Sequence, residues 1–158
     1  MNKFEILLQE TERYNISVKE KNLQSKAKGL CKGNKIAINN KLKTISEKSC
    51  VLAEELGHYH RTVGNITDQT NIKNRKQEIK ARRWGYEKLV GLVNIINAFE
   101  YGAHTLFEMT EYLEVTEEFL NNSLNYYRKK YGISCEIDSY IIYFEPNLSI
   151  LKLLQAKD

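Results

Sequence analysis

Proline is nearly absent from this chain. Its 158 residues include only Pro146, and no stretch is rich in glycine and serine, repetitive or of low complexity. An interdomain linker is therefore not expected, and the length and 42% hydrophobic content fit one domain with one core. Long apolar runs are missing too. Nothing approaches the roughly 18 uninterrupted apolar residues of a spanning helix, and residues 1–10 lack the apolar region of a signal peptide. A soluble, cytoplasmic protein without membrane contact is the expectation.

Cysteine is scarce and unpatterned. Cys31, Cys50 and Cys135 form no CxxC pair, and an odd number leaves at least one thiol free, as suits a reducing compartment. Charge is not strongly of one sign either: the net +4 comes from 24 basic and 20 acidic residues spread along the chain. Such an excess helps solubility without defining a nucleic-acid surface.

What is present is mostly helical patterning. Phe4, Leu7, Leu8 and Thr11 stand at helical spacing and predict a short amphipathic helix ending before Asn15. Residues 27–31 and 35–39, parted by Lys32-Gly33-Asn34, predict a hairpin. Thr44-Ile45-Ser46-Glu47 has the S/T-x-x-E form of a helix start, so a helix is expected from about Ser46 to His58 or His60. Polar residues 61–74, with Gly64-Asn65 among them, predict a loop of about a dozen residues before a second helix near Asn74. Beyond Gly91 the helical pattern continues to about Tyr131, breaking near Gly102 and Leu113-Glu114-Val115, and Gly132 terminates it. Residues 137–144 are rich in β-branched and aromatic side chains, which predicts a late strand ended by Pro146. The class is α+β and mainly helical. Within one domain, 1–158, a core of about 1–95 and a helical and strand extension of about 96–158 are expected.

Chemistry concentrates in Glu54-Glu55-Leu56-Gly57-His58. Positions four apart on a helix lie one turn apart on one face, so Glu54 and His58 can converge on one ion. Glu55 is angled toward the same space but displaced sideways, where a carboxylate can work on water without being used as a ligand. A catalytic zinc site commonly takes three protein ligands and leaves one position for solvent. The second helix offers Glu78 and Glu87, nine residues apart and therefore on opposite faces, since each step turns about 100°. Beside Glu78 lie Ala81, Arg82 and Gly85, where the small residues would let another helix approach closely. Glu78 is the better third ligand.

Other candidates yield to simpler readings. His60 is turned about 200° from His58 and reads as a helix-end residue, while Cys50 shares the His58 face but lies about 12 Å along the axis and reads as core. Trp84, Tyr86, Leu89 and Val93 read as core, and His104 as a residue near a helix start. Tyr59, Tyr126, Tyr127, Tyr131 and Tyr140 could each stabilise an oxyanion, but nothing selects one. Residues 107–127 have a helix-turn-helix form, yet the second helix opens Thr116-Glu117-Glu118 and has no basic residue before Arg128, which argues against DNA binding and for packing or substrate docking.

Leu52-Ala53-Glu54-Glu55-Leu56-Gly57-His58 followed by Lys76-Gln77-Glu78-Ile79-Lys80-Ala81-Arg82 resembles the ImmA/IrrE-type metallopeptidases of bacteria, mobile elements and prophages. The hairpin over 28–39, Trp84-Gly85-Tyr86-Glu87-Lys88-Leu89 and residues 112–120 also resemble that family, so the likeness covers most of the chain. It implies a zincin-like fold, a zinc ion (or manganese) held by positions 54, 58 and 78, and Glu55 as general base. It further implies a protein substrate, a helix-turn-helix repressor encoded nearby, whose cleavage relieves silencing. In the implied reaction the ion polarises a scissile carbonyl while Glu55 takes a proton from water and delivers it to the departing amine.

One position departs from the family pattern, in which HExxH supplies two histidine ligands. Here Glu54 stands at the first. A divalent ion with two carboxylates and one imidazole is about neutral, whereas two imidazoles and one carboxylate leave about one positive charge. The neutral site acidifies water less and suits harder ions better. Three outcomes stay open: a working Glu-His-Glu site, a weaker or manganese-favouring one, and an inactive site kept as a repressor-binding module.

Overall fold

A computed structural model describes residues 1–61 and 72–154. The first helix, Lys3–Arg13 (α1), is capped by Asn2, whose side chain accepts from the Glu5 amide at 2.8 Å. The Glu5 carboxylate returns the contact to the Asn2 amide at 3.3 Å, completing the reciprocal cap. Leu7 and Thr11 are its buried positions, as their spacing implies.

Three short strands follow: Ser17–Lys21 (β1), Gly29–Lys32 (β2) and Lys35–Asn39 (β3). They form a sheet of order β1-β3-β2, with β3 parallel to β1 and antiparallel to β2. The β2–β3 hairpin is the expected one, and Gly33 at φ 59° takes the left-handed position that its turn requires. Alternation in β3 buries Ile36 and Ile38 against the body. Sequence reading missed β1, because its five residues carry one apolar side chain, Val18, and its pairing is made by backbone groups.

The central helix, Ile45–Arg61 (α2), starts as expected: the Glu47 amide donates to Thr44 Oγ1 at 3.1 Å, and the Glu47 carboxylate accepts from the Lys43 amide at 3.3 Å. A second long helix, Ile72–Leu89 (α3), packs along it. The loop expected between them lies, but for its ends, outside the described residues. Then come Leu92–Tyr101 (α4), Leu106–Leu113 (α5) and Glu117–Tyr131 (α6). Both expected breaks are present. Gly102 and Glu114 adopt left-handed conformations at φ 118° and 56°, and Thr105 and Thr116 cap the helices that follow.

The late strand needs enlarging. Residues 137–144 are not one strand, because Asp138 at φ 51° turns the chain between Ser134–Ile137 (β4) and Tyr140–Tyr143 (β5). β5 ends before Pro146 as expected, but a further strand, Ser149–Lys152 (β6), completes an antiparallel order β4-β5-β6. This sheet closes the core through Ile142 and Phe144, with the Phe144 ring stacked on Tyr127 of α6 at 5.7 Å. The same core contains Ile36, Leu52, Leu56, Leu120 and Leu124. Val93 does not belong to it. At two residues before buried Ile95 it is turned about 200° outward, and it is 60% exposed.

Candidate metal centre

The centre is built on a close contact between α2 and α3. Gly57 of α2 faces the Ala81 backbone of α3, and a Cβ at Gly57 would lie 2.2 Å from the Ala81 carbonyl oxygen. About one turn along, Gly85 faces the Ala53 backbone at 3.4 Å from an added Cβ. Gly57, and Gly85 as foreseen beside Glu78, therefore act as a pair of notches, each admitting the other helix's backbone.

That approach brings Glu54, His58 and Glu78 together: each offers one ligand atom, and all three atoms lie within 4.8 Å of one another. His58 Nε2 is 3.2 Å from Glu78 Oε2. Arg82, one turn beyond Glu78, places Nε at 3.4 Å from both Glu54 Oε1 and Glu78 Oε1. Glu87, as helix phasing requires, is elsewhere. It accepts from Tyr126 Oη at 2.5 Å and from Lys130 Nζ at 3.2 Å on the α6 side.

Glu55 stands beside the trio and is buried, at 7% exposure, unlike Glu54 and His58, which are half-buried. Burial pushes its carboxyl up to about 7, against the opposing pull of His58. Strand β2 lies directly over it: a Cβ at Gly29 would come within 3.0 Å of Glu55 Cγ. The Cys31 thiol on the same strand is pushed up to about 11 by its own burial and by the Glu55 charge.

The trio holds its charge unevenly. Burial raises Glu54, with its hydrogen bond to Glu78 adding to the effect, while Arg82 opposes it. Glu78 is held below the usual carboxylate range, chiefly by its hydrogen bond from His58. Burial acts to lower His58, but the Glu78 hydrogen bond and the surrounding carboxylates outweigh it and raise the imidazole. A divalent cation in the same place would take over the role of these protons, since metal ligands bind in their deprotonated forms. Two carboxylates and one imidazole form a donor set that suits zinc or manganese, and the spacing of their ligand atoms fits one ion.

The other candidates fall where simpler readings put them. His60 stacks on Trp84 at 4.9 Å and meets Tyr14 and Tyr59 edge-on, away from the trio. Cys50 is buried, with its thiol pushed up to about 11 by burial. His104 directly precedes the Thr105 cap. Tyr126, Tyr127 and Tyr140 donate to Glu87, the Val90 carbonyl and Glu100, so these hydroxyls are engaged outside the centre. Arg82 is the residue whose part was missed. Its signal was its place at i+4 from Glu78, a spacing that also describes an ordinary surface ion pair.

The family model of the IrrE N-terminal-like domain, Peptidase M78, matches residues 11–125. That span contains both helices of the centre and the β1-β3-β2 sheet. No curated protein and no solved structure matches the chain.

Proposed function

Because the chain belongs to the IrrE N-terminal-like, Peptidase M78 family, we propose that it is a metal-dependent endopeptidase whose ion is held by Glu54, His58 and Glu78. The observation that carries this is the convergence of three ligand atoms within 4.8 Å beside a buried carboxylate. A bound zinc or manganese ion would supply Lewis acidity toward a scissile peptide carbonyl and toward water. Glu55 then acts as general base, taking a proton from the attacking water and returning it to the departing amine nitrogen. Its carboxyl, pushed up to about 7, is matched to both halves of that transfer near neutral pH. Arg82 holds the Glu54 and Glu78 carboxylates toward one point and offsets the charge of the additional carboxylate.

The substrate we infer is a protein, a helix-turn-helix repressor encoded nearby. Support for it comes from the family likeness and from a centre placed beside an edge strand. The test is co-expression of the neighbouring repressor with the wild type and with Glu55→Gln, combined with metal analysis of both. A repressor fragment seen with the wild type and lost in a metal-loaded Glu55→Gln supports the reading. Wild-type cleavage by that variant would sink the general-base role. Failure of the wild type to take up zinc or manganese stoichiometrically, or Glu54→Ala, His58→Ala and Glu78→Ala all retaining the ion, would remove the metal site.

A second reading has a specific observation in its favour. The Arg82 guanidinium offsets one of the two carboxylate charges of Glu54 and Glu78, which suits a noncatalytic module that captures a repressor. Complex formation with no fragment, identical for wild type and Glu55→Gln, selects that reading.

A further inference from the structure

The basic residues, though spread along the chain, leave one wide gap. Between Lys88 and Arg128, residues 89–127 contain no lysine or arginine and six glutamates, Glu100, Glu108, Glu111, Glu114, Glu117 and Glu118. By contrast, residues 19–48 contain nine lysines and two glutamates. The gap spans α4, α5 and most of α6, so one set of helices presents charge of a single sign. None of Glu108, Glu111, Glu117 and Glu118 forms an ion pair among the described residues.

The same surface exposes large apolar side chains. Tyr101 at the end of α4 is 79% exposed and Phe107 on α5 is 71% exposed. Tyr101 lies against Tyr112 at 5.0 Å between ring centroids, and Leu106 of α5 is exposed as well. Isolated exposed apolar residues are ordinary, but exposed aromatics together are what binding faces are enriched in, and the carboxylates around them set the sign of charge such a face can meet.

This face runs up to the metal centre. The Cys50 thiol of α2, one turn before Glu54, lies next to Thr116 at the cap of α6. Tyr86 of α3 packs edge-on against Phe119 at 5.3 Å and stands in the fields of both Glu54 and Glu118.

We propose that the α4–α6 face docks a lysine- and arginine-rich amphipathic helical segment of the protein substrate, its apolar side on Tyr101, Phe107 and Tyr112 and its cations on the glutamates. The proposal rests on the reading of the chain as an enzyme or captor of a protein. Charge complementarity selects the occupant, because anionic DNA and anionic lipid surfaces are repelled by these carboxylates. A second copy offering its lysine-rich sheet is disfavoured by geometry: such a contact joins unlike surfaces, and unless its rotation closes a ring it builds an open chain of subunits.

The experiment uses the full chain carrying Glu55→Gln, so that cleavage consumes nothing. The probe is a fluorescein-labelled synthetic peptide with leucine and lysine at helical spacing, and controls are its glutamate counterpart and a duplex DNA. The lysine peptide binds, more weakly as salt rises, while the glutamate peptide and DNA do not. Glu111→Lys combined with Glu117→Lys and Glu118→Lys weakens binding by about tenfold or more. Phe107→Ser with Tyr112→Ser does the same at high salt, and Lys32→Glu with Lys35→Glu leaves binding unchanged. Equal affinity in all variants overturns the proposal, as does peptide-induced NMR shift change confined to the Glu54–Glu78 cluster. Salt-sensitive self-association of the unliganded protein, lost in the triple charge reversal, would assign the face to a second copy and likewise overturn it. Absence of cleavage with intact peptide binding removes the peptidase reading alone; intact cleavage without peptide binding removes this face alone.

Discussion

Arg82 sets the charge that an incoming ion meets. Its guanidinium is 3.4 Å from both carboxylates of the proposed ligand trio, so a cation binding there works against a positive charge already in place. Unit charges a few ångströms apart interact by about 1–4 kcal/mol at a protein surface. Arg82→Gln is therefore expected to bind zinc about tenfold more tightly, read by competition with a chromophoric chelator. Unchanged or weaker binding would show that Arg82 matters chiefly for holding the carboxylates in position. Cys31 reports on the neighbouring residue. Its thiol, pushed up to about 11, is neutral at pH 8, so it alkylates slowly there and faster as the pH rises toward 11. Removing the Glu55 charge lowers that thiol pKa and increases the thiolate fraction. Glu55→Gln should accordingly speed iodoacetamide labelling of Cys31 at fixed pH, as read by peptide mapping, and an unchanged rate would contradict the proximity of the two groups. Glu54, Glu55, His58 and Glu78 were legible in the sequence because helix periodicity alone fixes which face each occupies. Arg82 and Cys31 were not, since one looks like any i,i+4 ion pair and the other reaches Glu55 only through the docking of a strand on a helix.

At the scale of elements, the α2–α3 contact determines whether the ligands meet at all. Ala at position 57 would place its methyl group 2.2 Å from the Ala81 carbonyl oxygen, a contact that only backbone movement can relieve. Gly57→Ala is expected to lose about 2 kcal/mol or more of stability in urea and to lose stoichiometric metal, because the helices that supply the ligands are forced apart. Gly85→Ala meets the Ala53 backbone at 3.4 Å, and Ala gains about 1 kcal/mol of helix propensity over Gly, so this change should be close to neutral. Equal effects of the two substitutions would remove the notch explanation. The α3 side of the contact was visible as the small residues Ala81 and Gly85 on the Glu78 face, the Gly57 notch was not, and the helix starts were visible as capping patterns. The sheets were only half visible. A strand such as β1, with one half-buried side chain, carries no periodic signal, and the turn at Asp138 interrupts residues that by composition read as a single strand.

For the whole molecule, the question is whether the α4–α6 helices and the second sheet unfold with the metal centre or apart from it. The packing joins them: Tyr127 of α6 donates to the Val90 carbonyl at 2.7 Å, just beyond α3, while its ring stacks on Phe144 at 5.7 Å. Arg128 Nε also donates to the Phe144 carbonyl at 2.7 Å. Phe144 is fully buried, so Phe144→Ala removes a large side chain from the core and should cost about 3–5 kcal/mol. Trp84, the one tryptophan of the chain, stacks on His60 at 4.9 Å and reports on the packing of α2 against α3. If a single core spans the chain, Phe144→Ala lowers the urea midpoint seen by Trp84 fluorescence and by far-ultraviolet circular dichroism to the same value, with the two curves superimposed as two-state behaviour requires. An unmoved fluorescence transition with an early loss of dichroism would instead divide the molecule, leaving a metal-bearing unit that stands without its second sheet.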